Sequence, residues 1–133
     1  MSEWPGLPTE LVRAVDLLVD SLDALELLIL VAREPEELWA PDQVAARLRV
    51  GMQEARRALD RMRRRGLVAA EGGDGDDAAA YRFAPADAER AAAASEILTA
   101  YGNRRIELIN HVAARAFERM LSASGASRPR DDS

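Results

Sequence analysis

The chain has 133 residues, 48% hydrophobic and 31% charged, with a formal net charge of -5. That is room for one compact domain of ordinary globular composition, which excludes two full domains and global disorder. No cysteine is present, so disulfides, thiol chemistry and Cys-based zinc sites are excluded, and no run of about 18 uncharged apolar residues offers a membrane span.

Residues 1–8, with two prolines and a glycine, read as a flexible arm, and Thr9 as a helix N-cap. Leu11, Val15, Leu18, Leu22, Leu25 and Ile29 then follow at steps of four and three, an apolar stripe on one helix or on two abutting helices. Ser21 and Asp23 suit a second helix start, so a break near residue 20 stays open. Glu34 and Pro35 end the helical part of this N-terminal scaffold (9–38), because proline forces the preceding residue out of the helical basin.

Within 39–85 the pattern changes. Pro41 or Asp42 starts a short helix with Val44, Ala45 and Leu48 on its apolar face, and Gly51 is read as the glycine that breaks it. A second helix is expected over about 52–65, burying Ala55, Ala58, Leu59 and Met62. Gly66 ends it, Leu67, Val68, Ala69 and Ala70 form a short strand, and the Gly/Asp run from 71 to 77 is a turn. Ala80, Tyr81, Arg82 and Phe83 pair back as a second strand, and Pro85 stops it. A long helix over 86–121 follows, with a weak point at Gly102 and Asn103. The tail 122–133 is polar and expected to be disordered. An Ala count of 26 against 5% aromatics agrees with this mainly α reading with one small β-hairpin.

All 18 basic residues are Arg, and they are unevenly spread. Residues 1–38 hold 9 acids against 2 Arg, whereas residues 39–68 hold 3 acids against 8 Arg. One strongly basic block inside an acidic chain calls for a local explanation. The stretch 42–83, with DQVAARL before the turn and RRALDRMRRRGLV after it, resembles winged-helix transcription regulators of the MarR and ArsR kind. Val44, Ala45, Leu48, Leu59, Met62, Gly66, Leu67 and Val68 occupy the core positions of that pattern. The resemblance covers 42 of the 133 residues, and the flanking helices match only by position. It implies a winged helix-turn-helix domain flanked by N-terminal and C-terminal helices, in which the 52–65 helix is the recognition helix.

The residues support the same reading. Gln53, Arg56 and Arg57 fall near the start of that helix, the end that meets base edges in the major groove. Arg61, Arg63, Arg64 and Arg65 fall further along, where phosphate contacts are expected. The competing reading of this arginine run is a solvated or protein-facing surface. Asp74, Asp76 and Asp77 at the tip of the hairpin oppose DNA, since phosphates repel carboxylates; Arg82 is the one nearby cation.

Asp74, Asp76 and Asp77 lack the length and closing Glu of a calcium loop. His111 has no second histidine and reads as a polar helix residue. No nucleophile elbow or phosphate loop is present, so neither catalysis, nor a metal, nor a cofactor is expected. Trp39 and Tyr101 are expected in the core, the alternative being that they line an effector pocket.

The expected function is a dimeric winged-helix regulator of transcription, bacterial and cytoplasmic, that reads double-stranded DNA with Gln53, Arg56, Arg57, Arg61, Arg63 and Arg64. The homodimer is expected through the 86–121 helix, with a contribution from the apolar stripe of residues 11–29. The alternative is a winged-helix protein-interaction module that uses its acidic wing and does not bind DNA.

Overall fold

The structure, a computed structural model, describes residues 7–72 and 80–127, with side chains up to residue 122. In chain order the elements are α1 (Thr9–Leu18), α2 (Leu22–Arg33), α3 (Pro41–Leu48), α4 (Met52–Arg64), β1 (Val68–Glu71), β2 (Ala80–Phe83), α5 (Ala88–Asn103) and α6 (Arg105–Ser127). The protein is mainly helical with a small two-stranded antiparallel sheet. No helix among the described residues is long and apolar enough to cross a membrane.

The first apolar stripe belongs to two helices. Val19 leaves the helical basin at φ -130, and Ser21 caps α2 by accepting from the Ala24 amide at 3.1 Å. Pro8, not Thr9, occupies the N-cap of α1, so that helix starts without a side-chain cap. Leu11, Val15, Leu18, Leu25 and Ile29 are all buried within the chain. Because α1 packs along α5, and α2 against α4, α5 and α6, the stripe is consumed by the domain's own core. Of its residues only Leu22 is exposed.

The turn between α3 and α4 differs from the glycine break expected at Gly51. Arg49 ends α3 in the left-handed conformation, at φ 60 and ψ 46, and the Val50 amide bonds back to the Ala45 carbonyl at 3.1 Å. Gly51 sits at φ -72 and ψ 163, a conformation open to any residue, and serves as the N-cap of α4. Gly66 is the position that requires glycine. Its φ is +77, and an added Cβ would lie 3.0 Å from the Ala86 Cβ. There the chain leaves α4 and runs close beneath the start of α5, with the Ala86 amide bonded to the Gly66 carbonyl at 2.7 Å.

The hairpin pairs Val68 with Phe83, Ala69 with Arg82, Ala70 with Tyr81 and Glu71 with Ala80. β1 thus begins one residue later than expected and includes Glu71. Trp39 forms an isolated antiparallel bridge with Tyr81 on the free edge of β2. Its amide donates to the Tyr81 carbonyl at 2.8 Å, and its carbonyl accepts from the Tyr81 amide at 2.9 Å. The expected long helix is two helices, broken at Arg104 (φ -136) and not at Gly102, which lies inside α5. The second, α6, continues to Ser127, past the expected start of the tail. The rest of the tail, most of the arm and Asp74, Asp76 and Asp77 lie outside the described residues.

Candidate nucleic-acid interface

The candidate surface is built on α4. Ala55, Leu59 and Met62 bury one side of that helix against the core, which forces its other positions outward. At about 100° per residue, Gln53, Arg57, Asp60 and Arg64 run down the side opposite the buried stripe, with Arg56 and Arg61 on its two flanks. Gln53, Arg56, Arg57, Arg61 and Arg64 are exposed, while Arg63 is half-buried. The helix start is fixed by Glu54, whose Oε1 accepts from the Gly51 amide at 3.1 Å.

The arginines fall into three groups that the sequence reading did not separate. Arg56, Arg57 and Arg61 make no ion pair among the described residues. Arg63 and Arg64 both reach Asp60, Arg64 at 2.9 Å. Asp60 therefore sits amid the outward face and offsets part of its positive charge. Its i+3 and i+4 spacing to them was the available signal. Arg65 is half-buried and turns toward the scaffold. Its guanidinium spans the Leu18 carbonyl and the Asp20 carboxylate, each at 2.8 Å, which ties α4 to the corner between α1 and α2. Its carbonyl in turn receives Arg90 Nε at 2.6 Å. Where a phosphate contact is expected of Arg65, the structure gives its side chain a carboxylate partner 45 residues away.

On the hairpin, Arg82 pairs with Glu71 at 2.8 Å and is not a free cation. Trp39 is buried, stacked under Arg47 at 5.2 Å, and borders a cavity of about 250 Å³ with Arg33. Tyr101 lies between Arg33 and Arg105 and does not line that cavity, so the two aromatics do not form one pocket. Among the described residues, no three His, Asp or Glu side chains converge as a metal site.

The arrangement is thus a short helix, a three-residue turn and a second helix presenting Gln and three unpaired Arg, followed by a hairpin. Its guanidiniums can donate to phosphate oxygens and, bidentately, to base edges. No family model, curated protein or solved structure matches the chain.

Proposed function

We propose that this protein is a winged-helix DNA-binding regulator of transcription that reads the major groove with α4. The observation that carries the reading is the outward face of α4, where Gln53, Arg56, Arg57 and Arg61 stand exposed and without ion-pair partners among the described residues. A helix has the width of the major groove, and its N-terminal side chains are those that reach base edges. Arg in place of Lys suits guanine and phosphate, because a guanidinium donates two parallel hydrogen bonds.

A homodimer supplies the second half-site. Ile106, Phe117, Met120 and Leu121 are 55–73% exposed on α6, and Ile109, Ala113 and Ala116 continue their stripe at helical spacing. The opposite side of α6 is anchored to its own chain by buried Leu108 and Val112, and by Arg115, which pairs with Asp16 at 3.0 Å. An exposed apolar stripe of this size marks an association surface, and two-fold symmetry through it gives two recognition helices to one pseudopalindromic site.

The test is fluorescence anisotropy with labelled mixed-sequence duplex DNA at about 50 mM and about 200 mM salt. The expected result is binding at low salt that weakens steeply with salt and is lost in the Arg56→Ala/Arg57→Ala double variant. Absence of binding at low salt and high protein concentration sinks the proposal and leaves a protein partner as the reading to pursue.

A further inference from the structure

A cavity of about 220 Å³ lies between the start of α2, the turn after α3 and one flank of α4. Leu48, Val50, Ala24, Ala58 and Met62 form its apolar part. Four charged groups stand around it: Asp23 from the first turn of α2, and Glu54, Arg57 and Arg61 from successive turns of α4. Arg65 also borders the cavity but is held by Asp20 and the Leu18 carbonyl.

None of those four charges has an ion-pair partner among the described residues, although Glu54 and Arg57 are three apart on one helix, a spacing that favours pairing. Glu54 instead turns to the Gly51 amide at 3.1 Å. Two unpaired cations and two unpaired anions thus share the rim of an apolar cavity. A simple anion would meet the two carboxylates, and a simple cation the two guanidiniums. A zwitterion with an apolar body satisfies all of them.

We propose that this cavity binds a free α-amino acid with an apolar side chain. The carboxylate is received by Arg57 and Arg61, the ammonium by Asp23 and Glu54, and the side chain by the apolar part. The size is adequate, since a cavity of about 150 Å³ already holds benzene. Arg57 and Arg61 are also two of the three unpaired arginines on the outward part of α4. A bound carboxylate draws both away from phosphate, so the amino acid weakens DNA binding. That coupling rests on the DNA-binding reading; the binding site itself does not.

Isothermal titration calorimetry on the full chain without DNA tests the site. L-Phenylalanine and L-leucine are compared with hydrocinnamate and phenethylamine, which each lack one of the two charges. The expected result is a Kd of about 1 mM or lower for an amino acid, with both single-charge analogues weaker by about tenfold or more. Arg61→Ala and Asp23→Ala, both at exposed positions, are each expected to weaken amino-acid binding by about tenfold, while Asp42→Ala, outside the cavity, leaves it unchanged. No binding of either amino acid up to about 10 mM overturns the proposal. So does hydrocinnamate binding as well as phenylalanine, or an Arg61→Ala variant that binds like the parent. Repeating the DNA titration with the amino acid present is expected to raise the Kd for DNA by about tenfold. Amino-acid binding without that change overturns the coupling alone, and a chain that binds no DNA still has its site decided by the calorimetry.

Discussion

The Arg65 guanidinium lies 2.8 Å from the Asp20 carboxylate and donates a second hydrogen bond to the Leu18 carbonyl, joining the end of α4 to the corner where α1 gives way to α2. The last arginine of the basic run is therefore a fastening between the candidate interface and the scaffold. Each side chain is about 29% exposed, so solvent screens the pair only in part.

Arg65→Met is expected to destabilise the fold by about 1–2 kcal/mol, because it leaves a carboxylate and a carbonyl without their donor. In thermal denaturation the variant melts a few degrees below the parent. Arg56→Ala and Arg57→Ala, at unpaired exposed positions, leave the midpoint within about 1–2 °C of the parent. Equal losses in all three variants would contradict the division of labour along α4.

Asp60 separates two views of the DNA surface. With Arg56, Arg57 and Arg61 as the free cations, the slope of log K against log salt is expected near -3 per protomer. Asp60→Asn releases Arg64 from its 2.9 Å pair, so it is expected to tighten DNA binding and steepen the slope by about one. An Asp60→Asn variant that binds more weakly than the parent would show that the carboxylate acts positively, through a base edge or by ordering its two arginines.

Backbone conformation predicts opposite signs at two positions. Arg49 holds a left-handed φ of 60 that a side chain disfavours, so Arg49→Gly is expected to stabilise by about 1 kcal/mol and raise the melting midpoint by about 3 °C. Gly66→Ala is expected to cost about 1–3 kcal/mol, since it combines a positive φ with a 3.0 Å approach to Ala86. Denaturation midpoints of the two variants decide both.

The α6 stripe is expected to hold two copies together. Phe117→Glu with Met120→Glu puts charge on side chains that are 56% and 61% exposed, so the variant is expected to stay folded and to sediment as a monomer while the parent sediments as a dimer. Since one half-site contact is then lost, DNA affinity falls by several orders of magnitude in the same variant. A parent that sediments as a monomer at micromolar concentration removes the dimer from the reading.

The order of elements was legible in the sequence because each signal is local. A step of three and four marks the helices, Ser21 and Asp87 cap the starts of α2 and α5 through their own side chains, and the apolar run at 67–70 opens the hairpin. The exposed face of α4 followed from its buried stripe in the same way. Local rules also mislead: they put the break at Gly51, whereas Arg49 adopts the left-handed turn, which a non-glycine residue can do at a modest cost.

What only the tertiary structure decided are relations between residues far apart in the chain. Asp20 claims Arg65, Tyr81 pairs with Trp39, and the packing of α1 on α5 and of α2 on α4, α5 and α6 leaves only Leu22 of the first apolar stripe exposed. A sequence gives the charge and polarity of each side chain. Which of these a distant group neutralises or covers depends on how the helices close on one another, and that closure sorts one run of arginines into a structural fastening, a pair offset by Asp60, and three side chains free to meet a ligand.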